Sequence, residues 1–323
     1  MTKKEAYQKF VNCVDVPVYS QPWWLDAICG ADNWDVWLYE KGDEILAAMP
    51  YYMEQRGEYR YITKAPLTQN NGIIFRYANN AKLQTRASFE EKIIDAMAKW
   101  LDEQNFDVYE QQYQHTFTNW QPFFWNRFKC MLRYSYIIED TSDLEQVKQN
   151  YSAKMRNDMK KGKMNTASME VLHPDVFYQE HEKIFAKQGL PCPFSYELWM
   201  RLYKACEEHN KGTTMCIRNK DGNISSLAYF VWDAHAVYLL MGGAIPEHSS
   251  DNTFAYLVHK GIQLASEMGV GFDFEGSMIK RIAKSYRDYG GVPMPYYRIR
   301  KIYNPDIIRM EAEREIAELE KRQ

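Results

Sequence analysis

The chain carries one local pattern twice. Residues 34–53 (WDVWLYEKGDEILAAMPYYM) read as strand, tight turn and strand, with the turn at Lys41-Gly42-Asp43. Residues 213–232 (TTMCIRNKDGNISSLAYFVW) repeat this around Lys220-Asp221-Gly222-Asn223, and Asp-Gly between apolar runs is a strong hairpin signal. A further strand follows in each half, at 59–63 and at 236–243. An amphipathic helix comes next. Phe89, Ile93, Ala96, Met97, Trp100 and Leu101 share one stripe of 89–104, and Phe254, Leu257, Val258, Ile262 and Ala265 share one stripe of 253–268. Each helix is followed by a strand, within 105–113 (NFDVYEQQY) and 271–278 (GFDFEGSM), and Phe106-Asp107 aligns with Phe272-Asp273. Such self-similarity predicts an α+β protein of two tandem sheet-helix units. The hairpin that leads each unit argues against a doubly wound parallel sheet.

A helical block separates the repeats. Residues 141–163 predict one helix, starting near Thr141 or Ser142, with Leu144, Val147, Tyr151, Met155 and Met159 as its buried stripe. Helices at 174–188 and 195–209 follow, divided by Gly189-Leu190-Pro191-Cys192-Pro193. Residues 305–323 open with Pro305 and predict a charged helix with a narrow apolar seam of Ile308, Ala312, Ile316 and Leu319, which would either dock on the body or pair with another chain, since a lone helix is marginal. The expected division is a first unit at 1–140, a second at 141–304 that includes the helical block 141–210, and a helical tail at 305–323.

Composition narrows the function classes. With 323 residues, 46% hydrophobic and 26% charged, the chain is globular and long enough for roughly two domains. The 40 basic and 43 acidic residues leave a net charge of −3, without the basic excess that phosphate neutralisation favours in nucleic-acid binders. The longest apolar run, 236–245, is too short to span a bilayer, and MTKKEAYQKF lacks an apolar signal core. Six scattered cysteines without a CxxC argue against a disulfide framework or a zinc site and suit a reduced, cytoplasmic setting. His173, His181 and His209 have no ligand spacing, so no metal is expected. No Ser-His-Asp pattern, P-loop or dinucleotide-binding glycine motif occurs, which disfavours kinases, dehydrogenases and NTPases. Aromatic residues reach 15% and crowd the stretches from Trp23 to Tyr52 and from Tyr109 to Tyr136. They serve either as large core side chains or as a cleft that stacks on a sugar or base.

The segment FDFEGSMIKRIAKSYRDYGG (272–291) resembles the FemAB-like branch of the GNAT acyltransferase superfamily. Asp273, Phe274 and Gly276 match the branch's Asp-Phe-x-Gly; Tyr286, Arg287, Tyr289 and Gly290 resemble its Phe-Lys-x-x-Phe-Gly with one intervening residue, Asp288, instead of two. QPWWLDAI (21–28) with the later AAMPYYM resembles its opening, and YSAKMRNDMKKGKM (151–164) its basic helix after the central linker. The resemblance spans nearly the whole chain. It implies two GNAT-like units and an N-acyltransferase that moves an acetyl or aminoacyl group to an amine on a cell-envelope or polysaccharide precursor. The donor would be an acyl-CoA or an aminoacyl-tRNA, with tRNA less favoured because the second unit carries no long coiled-coil insertion. The alternative on the same fold is a non-catalytic module that binds a glycan or nucleotide-sugar.

In a GNAT unit the strands before and after the long helix splay apart and the acyl carrier enters the gap. The resemblance places that gap between 236–243 and 271–276, with Gly242 and Gly243 as cofactor-binding candidates where the backbone can be approached closely. The loop that grips pyrophosphate in GNAT proteins is glycine-rich. Here AIPEHSSDNTF (244–254) has no glycine and carries Glu247 and Asp251. Glu275 is a catalytic candidate, a carboxylate that could take the amine's proton, against the alternative of a solvent-facing strand residue. Asp273 is expected to order the local backbone or to pair with a helix residue rather than to do chemistry. Arg287 is the other catalytic candidate. A guanidinium is always charged, so its role would be electrostatic rather than proton transfer. Tyr286 and Lys284 beside it, with Arg156, Lys160 and Lys161 on the basic helix, are the substrate-binding candidates. The basic helix would be a landing surface for a phosphorylated carrier, or else a solvated face.

Overall fold

The two halves of the repeat fold on one plan. The computed structural model describes residues 1–321 and divides into two compact units: Met1–Arg133 with the chain from Tyr296 onward, and Tyr134–Pro295. The expected boundaries at 140 and 304 therefore fall inside the second and first units respectively, because two strands, Lys129–Ile138 and Val292–Ile302, run across the divisions.

The first unit opens with helices α1 (Lys3–Val11) and α2 (Pro22–Cys29). The predicted hairpin is β1 (Trp34–Lys41) with β2 (Glu44–Arg56), antiparallel, and β2 also pairs with β3 (Tyr59–Thr63) and the short β4 (Ile74–Phe75). Helix α3 (Leu83–Asp102) buries Ile93, Ile94, Met97 and Leu101. The chain then enters β5 (Val108–Gln112), parallel to β3 through Tyr61↔Val108 and Ile62↔Tyr109. A short helix α4 (Gln121–Trp125) precedes β6 (Lys129–Ile138). The far side of β5 is closed by Arg298–Ile302 from the end of the chain, antiparallel from Arg298↔Gln112 to Ile302↔Val108. One core holds the unit together, with Trp37, Met49, Ile62, Ile94, Met97, Tyr109, Phe123 and Ile299 in contact. Each such aliphatic or aromatic side chain contributes about 1.5–3 kcal/mol by leaving water.

The second unit starts with the helical block, and here one expectation is corrected. Residues 141–163 form two helices, α5 (Leu144–Gln149) and α6 (Ala153–Asn165). Ser152 caps the second by accepting the Met155 N–H at 3.1 Å, and its own N–H is held by the Asp288 carbonyl at 2.8 Å. The predicted stripe survives the break, since Val147, Tyr151 and Met155 are buried in one cluster with Leu144 and Met159 against it. Strand β7 (Thr166–Glu170) and helices α7 (Pro174–Ala186) and α8 (Tyr196–Glu208) follow. The second hairpin is β8 (Gly212–Asn219) with β9 (Ile224–Trp232), and β9 pairs antiparallel with β10 (Ala236–Ala244). Helix α9 (Thr253–Met268) buries Leu257, Val258, Ile262 and Ala265, as its spacing predicts. It leads to β11 (Gly271–Asp273), parallel to β10, with Ile137 and Ile138 antiparallel on the far side of β11. Helix α10 (Lys280–Asp288) and β12 (Val292–Ile302) complete the unit's course.

Each unit thus runs hairpin, strand, helix, parallel strand, and is closed by an antiparallel strand from the end of a neighbouring segment. The closing helix α11 (Pro305–Glu320) belongs to the first unit. Its expected seam is not its buried face: Ile307 is buried, whereas Ile308, Ile316 and Leu319 are each more than half exposed. No helix among the described residues is long and apolar enough to cross a membrane.

Candidate active site

Strands β10 and β11 part company at one residue pair. Their ladder ends at Tyr238↔Asp273, after which β10 continues to Ala244 along β9 while the other chain turns away. The sequence predicts a strand through 278; instead it stops at Asp273. The Phe274 N–H is taken by the Tyr136 carbonyl at 3.0 Å, and Glu275 and Gly276 both adopt the left-handed conformation, with φ of 62° and 70°. That conformation costs a side-chain-bearing residue about 1–3 kcal/mol and persists only where its surroundings enforce it. At Gly276 no side chain fits: a Cβ would stand 2.2 Å from the Tyr134 carbonyl oxygen. The matched Asp-Phe-x-Gly is therefore a turn in which each named residue has a mechanical role.

Asp273 organises this turn. Its Oδ1 accepts the Glu275 N–H at 2.7 Å and the Ser135 hydroxyl at 2.5 Å. Burial pushes its carboxyl up to about 6 against those two hydrogen bonds, which favour the charged form. Its expected part, ordering the backbone, is the one the contacts describe. Glu275 is not on a solvent-facing strand. Its side chain is buried, and burial drives its carboxyl well above the usual range. A carboxyl in its neutral form carries both a hydroxyl that can donate a proton and a carbonyl oxygen that can accept one.

Helix α10 brings two more candidates to this turn. Tyr286 stacks on Phe274 with ring centroids 4.9 Å apart, and its hydroxyl is raised by burial and then by the Glu275 and Asp273 carboxyls. Arg287 is exposed, and its Nη1 donates to the Tyr136 hydroxyl at 3.1 Å. Lys284 points away into an ion pair with Asp288 at 2.6 Å. The start of α6 meets the end of α10 through the Ser152–Asp288 hydrogen bond. Arg156 uses its guanidinium on the Gln149 and Tyr151 carbonyls, stitching the break between α5 and α6. Lys160 and Lys161 are exposed further along α6.

Gly242 and Gly243 are explained by packing. A Cβ at Gly242 would stand 2.5 Å from the Leu227 carbonyl oxygen, beside the irregular β9–β10 pairing, and one at Gly243 would stand 3.0 Å from Ile184 of α7. The start of α9, where a GNAT protein seats a pyrophosphate, is packed against α6: a Cβ at Gly162 would lie 2.3 Å from the Asn252 carbonyl oxygen. Thr253 is buried with its hydroxyl 2.8 Å from that of Ser225, and Asp251 accepts from Asn219 at 3.0 Å. A carboxylate already stands at this helix start and the preceding loop has no glycine or lysine, so these residues do not fit the pyrophosphate of a CoA. Among the described residues no group of three or more His, Cys, Asp or Glu could hold a metal ion.

Two residues of the site escape sequence reasoning. Ser135 and Tyr136 reach Asp273 and Arg287 from a strand more than a hundred positions earlier, through the pairing of Ile137 with Asp273. No local motif marks them; only the pairing does. The aligned Phe-Asp pairs also part ways. In the second unit Asp273 is the last residue of the parallel ladder, whereas in the first that place belongs to Tyr109 and Asp107 lies before the strand, holding the Arg60 N–H at 2.7 Å.

No protein-family model matches the sequence, and no curated protein matches it. Solved structures do match the fold. A structure of FemX superposes with a TM-score of 0.69 at 11% identity, covering 96% of this chain and 98% of that one. L-PGS from Bacillus licheniformis gives 0.52 at 10% identity over 92% and 90% of the two chains. A tandem GNAT protein from the clavulanic acid biosynthesis pathway gives 0.50 at 9% identity over 90% and 98%. Hairpin, parallel ladder, splay and the Asp-Phe-x-Gly turn, occurring in a chain that matches these structures over nearly its whole length, establish a FemAB-like tandem GNAT fold.

Proposed function

We propose that the chain is an N-acyltransferase whose reacting groups lie at the splay of the second unit. The observation that carries this is a buried carboxyl, Glu275, held in a left-handed turn where two parallel strands separate, with burial disfavouring its charged form. In acyl transfer the amine nitrogen attacks the donor's carbonyl carbon, the carbonyl oxygen becomes an oxyanion, and the bond to the leaving oxygen or sulfur then breaks. One proton must move from nitrogen to the leaving atom. A neutral carboxyl balances that traffic alone: its hydroxyl gives a proton to the leaving atom while its carbonyl oxygen accepts one from the nitrogen. Arg287 supplies positive charge for the oxyanion or for a donor phosphate, and its position beside Tyr136 supports either use. Tyr286 shapes the wall next to Glu275.

The donor in this reading does not rest its pyrophosphate on the start of α9. An aminoacyl ester is favoured over an acyl-CoA, with the exposed Lys160 and Lys161 available to a phosphorylated carrier. The acceptor class, an amine on a cell-envelope or polysaccharide precursor, rests on likeness of fold alone. A thermal-shift series with acetyl-CoA, longer acyl-CoAs, UDP-sugars and aminoacyl-tRNA tests the reading. A ligand at a hundred times its Kd adds about 2.7 kcal/mol to stability. Stabilisation by aminoacyl-tRNA is expected. Stabilisation by UDP-sugars alone would overturn the enzyme reading in favour of a glycan-binding module.

A further inference from the structure

The first unit contains a cavity that the acyl-transfer reading does not use. It measures about 190 Å³ and is walled by the β4 segment, the loop after β5 and the outer face of α3. Three half-buried or partly exposed rings line it, Phe75, Tyr77 and Phe117, with the buried Tyr113 behind. These rings are fixed by one another: Phe75 and Tyr77 stack at 5.8 Å, and Tyr113 and Phe117 lie 4.6 Å apart. Two carboxylates, Glu90 and Asp15, face the same space, and no lysine or arginine lines it. Glu90 is oriented by the Tyr77 hydroxyl, which donates to its Oε1 at 2.7 Å. The nearby cation is Arg86, whose guanidinium lies 4.9 Å from the Tyr77 ring centre and outside the lining.

We propose that this cavity binds an organic ammonium group, a protonated primary amine or a quaternary ammonium. The lining is net negative and aromatic, the two features that hold such cations: carboxylates supply the charge, and ring faces attract a cation while tolerating its methylene or methyl groups. An anion would meet carboxylates in a lining that contains no lysine or arginine. A neutral polyol would find acceptors but gain nothing from their charge. The volume suits one ammonium-bearing end group rather than a whole cofactor, since complete ligand pockets start at about 300 Å³. The cavity is lined by residues of the first unit alone and the Glu275 turn belongs to the second, so the two proposals share no residue and are tested independently.

The test uses the full chain and three probes in titration calorimetry: choline, cadaverine and D-glucose. Choline or cadaverine binds, glucose does not, and affinity falls as salt is raised. Glu90→Gln weakens the cation by about tenfold, and Phe117→Leu, which keeps bulk but removes a ring face, weakens it by a smaller factor. Melting of both variants is compared with wild type so that lost binding is not lost folding. Glucose binding as well as choline, binding that ignores salt and Glu90→Gln, or no binding of either cation would each overturn the proposal.

Discussion

The two units share a ladder and differ at its end. In the first unit the last residue of the parallel pair is Tyr109, fully buried, with its hydroxyl 2.8 Å from that of Tyr113 and 3.4 Å from Met49 Sδ. The chain then closes over the exit: the Asn71 N–H bonds the Gln112 carbonyl at 2.7 Å, and Gly72 lies so near the Tyr113 ring that a Cβ would stand 2.7 Å from it. In the second unit the same place holds Asp273, and the chain leaves it through a turn that buries a second carboxyl. One copy of the plan therefore uses its splay as core and the other stores titratable groups there. Burying a carboxyl costs stability that an aromatic side chain would not, and two carboxyls at one exit are the reason for proposing the reacting groups there.

The sharpest way to break this comparison is to exchange the chemistry on each side. Glu275→Gln, which keeps shape and removes the transferable proton, is expected to lower turnover by about 10²–10⁴-fold, the range for loss of a general acid–base group. Tyr109→Phe at the matching place should leave turnover near wild type. Steady-state rates on the substrate found in the donor screen, with melting checked for both variants, decide it. Equal losses in the two would mean that both exits are structural.

Arg287 tests the electrostatic half of the site. Arg287→Ala should cost about 10²-fold in rate, as removal of one oxyanion-type donor does, and Arg287→Lys should restore part of it. An alanine variant with full turnover would leave Arg287 as a partner of Tyr136 and nothing more.

A pH series separates burial cost from ordinary acid unfolding. Asp273 is raised in the folded state to about 6, so its folded form binds a proton more tightly than the unfolded chain does. Its stabilising effect is complete below the unfolded value, about 3.9, and is lost as pH rises through 6. Relative to Asp273→Asn, wild type should lose on the order of 3 kcal/mol over that window. Denaturant midpoints measured from pH 4 to pH 7 would contradict this if the two proteins tracked in parallel.

The smallest expected effect on folding belongs to the basic helix. Charge reversal at Lys160 and Lys161 should leave melting nearly unchanged, since exposed charges contribute at most about 1 kcal/mol. It should weaken binding of a phosphorylated carrier, measured as affinity against salt. Unaltered affinity and salt slope would assign the helix to solvent.

Periodicity made most of the fold legible. Both hairpins, both long helices and the strand after each stand where alternation and i, i+3, i+4 spacing put them. The helix break at Asn150–Tyr151 stayed hidden because Val147, Tyr151 and Met155 keep helical spacing across it; the Ser152 cap is the local signal that periodicity outweighs. At the candidate site, the turn at Asp273, Phe274 and Gly276 was legible through its motif, which also singled out Tyr286 and Arg287 for the roles proposed above. The character of Glu275 was not, because a left-handed residue inside an apparent strand is enforced by the Tyr134–Tyr136 segment across the ladder. Ser135 carries no local signal, and Tyr136 only its place in the aromatic crowding. The unit-one cavity gathers side chains from positions 15 to 118, each unremarked in the sequence except as part of the aromatic crowding.

Hydrogen–deuterium exchange of the full chain, with and without an acyl donor, tests the central claim most directly. The probes are a non-hydrolysable aminoacyl-adenosine amide and acetyl-CoA. The account predicts that the aminoacyl analogue slows exchange in peptides covering 271–290, with 61–75 and 108–118 unchanged, and that acetyl-CoA leaves 244–254 unprotected. Protection of 244–254 by acetyl-CoA, with 271–290 unmoved by the analogue, would contradict it and return the donor to the start of α9.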